Sequence, residues 1–170
     1  QTGKSSHPFS LLSSYVPGKS YEYALYKSLR EAVPIIDAAI MKTVRLLGSF
    51  KVTCDDENAE KQLRHFLSTV SVGGTRNGID AFVSTFFEQL LTYGTAVGEM
   101  LTDGTTITHL FNSDLKDIHL SQGESAVDII VSCDNGKGQF IPVRYPALIL
   151  MSVLNPEPGN NYGTSLLKGL

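Results

Sequence analysis

The chain has 170 residues, of which 42% are hydrophobic and 18% charged, which excludes a disordered or fibrous protein and suffices for a domain with a hydrophobic core. Seventeen acidic and 14 basic residues give a net charge of −3, which excludes a chain that binds nucleic acid over its whole surface. The longest apolar run, Ala147–Met151, has the length of a strand and not of a transmembrane span. The first residues also lack the apolar core of a secretory signal, so we expect a soluble protein of cytoplasmic origin.

The first 19 residues differ in composition from the rest of the chain. They are rich in Ser, Gly, Pro and Lys and show no periodicity, so residues 1–19 are predicted to form an extended arm. Phe9, Leu11 and Leu12 would be its apolar anchor. Residues 20–170 are predicted to form the folded domain.

Two helices are predicted from about Ser20 to Gly48, separated at Pro34, which suits the first turn of a new helix. The apolar stripe of the first helix consists of Tyr21, Leu25, Leu29 and Val33. The stripe of the second helix consists of Ile36, Ile40, Val44 and Leu47. Asp37 lies near the positive end of the dipole of this second helix.

A short strand, Ser49–Cys54, is predicted next, and three acidic residues follow it. Asp55, Asp56 and Glu57 could bind a metal ion, but acidic residues directly before an amphipathic run more often cap a helix, and we favour that interpretation. The apolar residues of the helix that they open are Ala59, Leu63, Phe66, Leu67 and Val70.

A flexible loop is predicted over Ser71–Gly78, and a strongly apolar helix then ends at Tyr93-Gly94. The apolar positions of this helix are Ile79, Phe82, Val83, Phe86, Leu90 and Leu91. Its spacing and that of the preceding helix predict that both pack on one face of a sheet, through Leu63, Phe66, Phe82 and Phe86.

The hydrophobic period changes from helical to alternating after Gly94. Thr95–Leu101 and Thr105–Phe111 are predicted to form a hairpin around Asp103-Gly104. Further strands are predicted at Leu115–Leu120, Ala126–Cys133, Gln139–Tyr145 and Ala147–Leu154, with a second hairpin turn at Asp134–Gly138. This order predicts an α+β fold, in which N-terminal helices pack on a mostly antiparallel β-sheet.

The end of the chain combines a turn with the start of a helix. Turn-forming residues dominate Asn155–Asn161, and Thr164 or Ser165 is then predicted to cap a helix that begins with Leu166-Leu167. Fewer than two turns follow, which is too short for a stable helix. We therefore expect the native protein to continue beyond the last residue; the alternative is that Gly169 ends a short terminal helix.

No nucleotide site is predicted. Pro17-Gly18-Lys19-Ser20 resembles the end of a phosphate-binding loop, but Ser13 stands where that motif requires its first glycine. Thr2-Gly3-Lys4-Ser5 has no strand before it. The later glycines do not form a dinucleotide-binding fingerprint, so no cofactor is expected.

The histidines do not predict a metal site. His7, His65, His109 and His119 are scattered along the chain. His109 and His119 could face each other across neighbouring strands, but no third ligand has metal-binding spacing. A structural or surface role is favoured for each histidine, and no bound metal is expected.

No catalytic residues are predicted from spacing, since no nucleophile elbow, Cys–His pair or carboxylate pair occurs. Cys54 and Cys133 are interpreted as half-buried, reduced thiols of an intracellular protein, with a single disulfide as the alternative. Glu99, between Gly98 and Met100, is the most notable single carboxylate and is interpreted as an edge or interface residue with a basic partner.

Three segments share an order and spacing over about residues 20–170. Val33–Ile40 starts an early helix, Leu90–Met100 leads from an apolar helix through a Tyr-Gly turn into a strand with a Gly-Glu pair, and Asn161–Leu167 contains Tyr-Gly-Thr-Ser-Leu-Leu. In this order they resemble segments of the portal proteins, or head–tail connectors, of tailed bacteriophages. Within these segments, Ala96 and Gly98 lie on one strand face and predict the close approach of another element.

The resemblance implies a structural subunit without enzymatic activity. Portal subunits form a ring, typically a dodecamer, through which the terminase motor drives double-stranded DNA into the capsid, and to which tail or adaptor proteins dock. The matching region would be the outer wing, truncated before the stem and clip, so that most contacts with DNA would lie elsewhere. Assembly in the bacterial host cytoplasm, a place at the portal vertex of the virion and no association with a membrane are expected.

Two other classes of function stay open at this point. One is a small intracellular α+β module that binds a ligand between its sheet and helices. The other is an enzyme whose site is assembled from residues that are distant in sequence.

Overall fold

The computed structural model describes residues 18–47, 50–125 and 128–169. These residues form four α-helices and eight strands, and the strands lie in two sheets. Helices packed against one mixed and one antiparallel sheet confirm the predicted α+β fold. Most of the predicted arm, residues 1–17, lies outside the described residues, as does Gly48. None of the described helices is long and apolar enough to cross a membrane.

Four helices follow the predicted order. They are α1 (Gly18–Ala32), α2 (Pro34–Leu47), α3 (Glu57–Thr69) and α4 (Ile79–Tyr93). The break between α1 and α2 falls at Pro34, as predicted, because proline lacks an N–H and disfavours the helical conformation of the residue before it. The N–H of Val33 still donates to the carbonyl of Leu29 at 3.0 Å, which completes the last turn of α1.

The predicted apolar stripe of α1 is wrong in its first half, whereas Leu29 and Val33 are half-buried and Leu29 packs against a buried cluster. Tyr21 and Leu25 are 71% and 52% exposed, whereas Tyr23 and Tyr26 are buried. The ring of Tyr23 packs edge-on against the ring of Tyr93, with centroids 5.1 Å apart. Tyrosine rings bury a large apolar area, so the rotation of α1 follows their contacts with other elements and not the aliphatic spacing within the helix.

The predicted stripe of α2 is confirmed over most of its length. Ile40 and Val44 are buried and Ile36 is half-buried, while Leu47, at the end of the helix, is exposed. Two of these side chains belong to a buried group, here called the helix cluster. The helix cluster consists of Tyr26, Ile40, Val44, Leu91 and Leu167.

The strand predicted at Ser49–Cys54 is wrong as far as the structure describes it. Residues 50–54 form no ladder with any described strand, and an extended segment without a partner is not a strand. The predicted cap of α3 is confirmed, since the Asp56 carboxylate accepts the Ala59 N–H at 2.7 Å. None of the residues of α3 is fully buried, so this helix lies at the periphery of the domain.

The larger sheet has five strands in the order β2-β1-β4-β3-β8. These strands are β1 (Ser71–Val72), β2 (Arg76–Asn77), β3 (Thr95–Thr102), β4 (Ile107–Asn112) and β8 (Ile149–Val153). The predicted loop over residues 71–78 therefore contains two short strands, because β1 pairs in parallel with β4, a partner over 30 residues away. The hairpin around Asp103-Gly104 is confirmed.

The smaller sheet has three antiparallel strands in the order β5-β6-β7. They are β5 (Ile118–Gln122), β6 (Ile129–Asp134) and β7 (Phe140–Pro142). β5 and β7 are shorter than predicted, and Ala126 and Val127 of the strand predicted around β6 lie outside the described residues. Leu115–Asp117 and Pro146–Leu148 form 3-10 turns in place of the first residues of two predicted strands. The predicted turn after β6 is confirmed, and the Asp134 carboxylate accepts its Gly136 N–H at 2.9 Å.

One face of the larger sheet is covered by α4, as predicted. Phe82 is buried there with Val72 and Leu110, and Phe66 and Phe86 pack against this group. The predicted contact of Leu63 is not among those of the group. An ideal Cβ at Gly98 would lie 2.5 Å from Cζ of Phe82, so the absence of a side chain at Gly98 permits the predicted close approach.

The opposite face of the larger sheet packs against the smaller sheet, which the sequence did not predict. Val97 of β3 is completely buried on this side. The cluster around it consists of Tyr23, Leu115, Ile118, Leu120 and Val131. The five-stranded sheet is therefore a central layer between α4 and the smaller sheet.

Candidate functional site: the junction of α4, β3 and residues 160–169

The second and third segments of the resemblance meet at one buried junction. Gly94 ends α4 in the left-handed conformation, with φ of 76°, and its N–H donates to the Leu90 carbonyl at 2.9 Å. This conformation strains other residues and turns the chain directly from α4 into β3. The returning segment after β8 lies against this turn.

Two glycines allow the backbone at the end of α4 and the backbone of the returning segment to come into contact at the junction. The Leu154 N–H donates to the carbonyl of Gly94 at 2.8 Å, and the Gly163 N–H donates to the Thr95 hydroxyl at 3.0 Å. A Cβ at Gly163 would overlap the Gly94 carbonyl oxygen and would lie 2.5 Å from the nitrogen of Leu154. A Cβ at Gly94 would lie 2.5 Å from the carbonyl carbon of Thr164. Both positions therefore require glycine.

The sequence left open whether Thr164 or Ser165 is the capping residue, and in the structure it is Ser165. Its hydroxyl donates to the Thr92 carbonyl at 2.5 Å and accepts the Leu167 N–H at 2.9 Å. The Leu166 N–H donates to the Leu91 carbonyl at 3.3 Å. The described residues after Ser165 form a hydrogen-bonded turn rather than a helix, and this turn places Leu167 in the helix cluster. The Ser165 hydroxyl is thus used for capping and is not presented as a nucleophile.

Tyr162 connects the junction to the smaller sheet. Its hydroxyl accepts the Leu120 N–H of β5 at 2.9 Å, and burial raises the pKa of this phenol. The ammonium of Lys19 lies 5.2 Å from the centre of the Tyr162 ring. Burial, together with the nearby Tyr162, also raises the pKa of Tyr23, whose hydroxyl has no partner among the described residues. The phenols around the junction therefore stay protonated well above neutral pH.

Arg30 ties three helices together beside the junction. Its guanidinium donates to the Asp37 carboxylate of α2 at 2.9 and 2.5 Å and to the Glu88 carboxylate of α4 at 2.8 Å. It also donates to the hydroxyl of the buried Thr92 at 3.0 Å. Burial opposes the charge of Arg30, but these hydrogen bonds outweigh it, so the pKa of Arg30 is raised. The group is an electrostatic clamp that fixes α1 and α2 on α4.

A wide cleft opens next to this clamp, between α1, α2, α4 and the chain after β4. Its volume is about 1340 Å³, and charged side chains of all three helices line it. Two buried acceptors, Oε1 of Gln89 and Oδ1 of Asn112, belong to lining residues and have no hydrogen-bond partner among the described residues. The cleft thus combines charged side chains with apolar surface, and two buried oxygens of its lining residues have no partner among the described residues.

The residues considered as candidates for a nucleotide or metal site do not form one site in the described part of the chain. Gly18, Lys19 and the next residue form the first turn of α1, and Lys19 contacts Glu22 at 3.5 Å. His65 lies on α3. His109 and His119 do not face each other on neighbouring strands, because β4 and β5 belong to different sheets.

Metal ligands do not converge in the described part of the chain, and His7 lies outside it. Among the described residues, no group of three or more His, Cys, Asp or Glu side chains could hold a metal ion. Cys54 and Cys133 are both free thiols, as predicted, but Cys54 is exposed and only Cys133 is half-buried. Burial is the main cause of the raised pKa of Cys133, and the negative charges of Glu99 and Asp117 raise it further.

The edge position interpreted for Glu99 is wrong. Glu99 lies on β3, which has β4 and β8 on its two sides, and faces Phe111 and Ile149 across these strands. It forms no ion pair with the described residues. β3 is a central strand only because β8, from the end of the chain, pairs with it. The local sequence around Glu99 therefore does not predict its central position.

The Arg30 clamp and the cleft were not identified from the sequence. One signal was present, since Arg30 and Asp37 have opposite charges on the two sides of the Pro34 break. The third partner, Glu88, lies 58 residues from Arg30 and becomes a neighbour only in the folded chain.

Comparisons with known proteins do not assign the chain to a family. No protein-family model matches it, and a search of curated proteins finds no similar protein. The geometry of the junction and the resemblance of its segments are therefore the basis of the functional conclusion.

Proposed function

We propose that the chain is the wing region of a portal subunit, a structural part of the ring through which a tailed bacteriophage packages and ejects its DNA. One observation carries this proposal: all three segments of the resemblance contribute to the helix cluster. Ile40 comes from the first segment, Leu91 from the second and Leu167 from the third. The three segments that resemble one family therefore also pack in one core. This supports an interpretation of them as parts of a single structural unit.

The junction is suited to a rigid structural part. Its contacts are main-chain hydrogen bonds and closely packed glycines, which leave little freedom for relative motion of α4 and the returning segment. The buried hydroxyl of Ser165 is held by two main-chain groups. This arrangement supports a scaffold rather than an enzyme.

The exposed apolar residues support association into a ring. One set lies on or next to α1 and α2: Tyr21, Leu25, Ile35, Leu46, Leu47 and Phe50. A second set lies on or next to the smaller sheet: Ile129, Ile130, Phe140, Ile141 and Tyr145. Exposed apolar side chains on two parts of the subunit are available for association, and a ring needs two different complementary surfaces on each subunit.

The test uses the product of the complete gene. Negative-stain electron microscopy and native mass spectrometry should show closed rings, typically of twelve subunits in the family that the chain resembles. Ile141→Glu, which places a charge on the exposed second set, should reduce ring formation without unfolding the subunit. Gln62→Glu, an exposed change on α3, is the control and should leave the rings intact.

The partners of the ring provide the second half of the test. Particles from the host should contain the protein at one vertex, together with terminase before DNA packaging and tail or adaptor proteins after it. A product that stays monomeric at high concentration and is absent from particles would refute the proposal.

A further inference from the structure

The cleft carries positive side chains that the described residues do not neutralise. Lys27 of α1 and Lys42 and Arg45 of α2 line it, and none of them forms an ion pair with a described residue. These three residues are here called the basic rim. Glu31 is the one lining carboxylate that is also unpaired among the described residues, and the five basic and four acidic lining residues together give the cleft a net charge of +1.

The remaining charges of the cleft are already paired. Arg30 is bound to Asp37 and Glu88, and Lys116 lies 3.7 Å from the Asp114 carboxylate. An incoming group would therefore be recognised by the basic rim and not by these pairs.

Two side-chain amides in the wall of the cleft are held by hydrogen bonds to main-chain carbonyls. The amide nitrogen of Gln89 donates to the Ser113 carbonyl at 2.8 Å, and that of Asn112 donates to the Phe82 carbonyl at 3.2 Å. These bonds fix both amides and leave their oxygens buried without a donor from the described residues. Both oxygens are shielded from solvent, so an incoming group would be recognised by other atoms of the cleft.

The cleft is wide enough to take a chain segment. Its volume of about 1340 Å³ exceeds the roughly 300–1,000 Å³ of typical small-molecule sites. Nine of its 20 lining residues carry a charge, so a charged partner fits the cleft.

The segment Phe50–Glu57 has the complementary chemistry. Among the described residues, residues 50–55 make no main-chain hydrogen bond, so their N–H and carbonyl groups are free to pair with another copy. The Phe50 side chain is 45% exposed. Asp55 and Glu57 are exposed carboxylates without an ion pair to a described residue. This segment does not line the cleft of its own chain.

We propose that the segment Phe50–Glu57 of one copy docks in the cleft of a second copy, with Asp55 and Glu57 against the basic rim. The contact joins two different surfaces of identical chains, so it can repeat head to tail and close into a ring. This inference rests on the proposed ring and assigns one of its subunit contacts. The opposite charges also predict that the contact weakens with salt.

The first experiment measures docking directly with a synthetic probe. A fluorescent peptide of residues 50–57, with Cys54→Ser, is titrated with the full 170-residue chain and followed by fluorescence anisotropy. We expect saturable binding at low salt, weakened about tenfold by the double substitution Lys42→Glu/Arg45→Glu. Lys61→Glu, an exposed change on α3 away from the cleft, is the matched control and should leave the affinity unchanged. A peptide with Asp55→Asn and Glu57→Gln should also lose affinity.

The second experiment separates this inference from the proposed function. In the complete gene product, Lys42→Glu/Arg45→Glu should reduce ring formation, and adding Asp55→Lys/Glu57→Arg should restore it by exchanging the charges. Intact rings together with a peptide that does not bind would overturn the docking contact and leave the proposed function standing. Peptide binding that depends on Lys42 and Arg45, in a product that never forms rings, would retain the contact and refute the ring.

Discussion

Gly98→Ala should destabilise the protein because its new methyl group would collide with Phe82. The ideal Cβ lies 2.5 Å from Cζ and 2.8 Å from Cε2 of that ring, whereas carbon atoms pack best at about 3.5–4.0 Å. Overpacking of this kind costs about 1–3 kcal/mol. Gly98 is not in a positive-φ conformation, so alanine can adopt its backbone geometry. Alanine also lowers the conformational entropy of the unfolded chain, which offsets about 0.4–1 kcal/mol of the cost. The expected net loss in the free energy of unfolding is about 1–2 kcal/mol.

A double-mutant cycle isolates this collision. Phe82 is 5% exposed, and Phe82→Ala alone should cost about 3–5 kcal/mol. In the Phe82→Ala background both ring contacts are gone and only the Phe111 carbonyl oxygen stays close to the new Cβ, at 3.3 Å, so Gly98→Ala should there cost little. The coupling between the two substitutions should be about 1–3 kcal/mol.

The assay is urea unfolding followed by far-ultraviolet circular dichroism, because the chain contains no tryptophan for fluorescence. The unfolding midpoints of the wild type, both single variants and the double variant give the cycle. Strict additivity of the two single costs would refute the contact between Gly98 and Phe82. A loss below about 1 kcal/mol for Phe82→Ala would refute the burial of α4 on the sheet.

Two further predictions concern the junction and its phenols. Gly163→Ala should cost about 3 kcal/mol or more, since its methyl group would overlap the Gly94 carbonyl and press on Leu154, and both neighbours are main-chain atoms. Gly136→Ala, at a positive φ of 76° with open space around it, should cost only about 1–2 kcal/mol, and similar melting temperatures for the two variants would contradict this account. Burial raises the pKa of Tyr23, so the folded protein retains a proton that the unfolded chain releases near pH 10, and stability should fall as the pH rises above about 10. Tyr23→Phe should make that decline shallower in urea midpoints measured from pH 8 to 11, and an unchanged slope would count against it.

Local signals in the sequence determined where most helices begin and end. Pro34 separates α1 from α2, and the Asp56 carboxylate caps α3. Gly94 stops α4 and starts β3 because a left-handed residue satisfies the last turn of the helix. Each of these effects acts within about one helical turn, so residues near in sequence are sufficient to predict it.

The sequence also identified the parts of the junction, but it did not predict that they are in contact. Gly94 and the segment with Gly163 and Ser165 could each be recognised as a turn or a cap. Their meeting depends on β8 pairing with β3, which carries the end of the chain back to the C-terminal end of α4. No periodicity within either segment contains this information.

Tertiary structure alone decided which faces are buried and which strands pair. The face of α1 follows Tyr23 and Tyr26 because their rings fill space against other elements, although Leu25 has the regular helical spacing. The pairing of β1 with β4 and the cleft around Gln89 likewise need partners far along the chain. The physical reason is that backbone conformation is set by steric and hydrogen-bond effects among neighbours, whereas burial is a property of surfaces that exist only after distant segments have packed together.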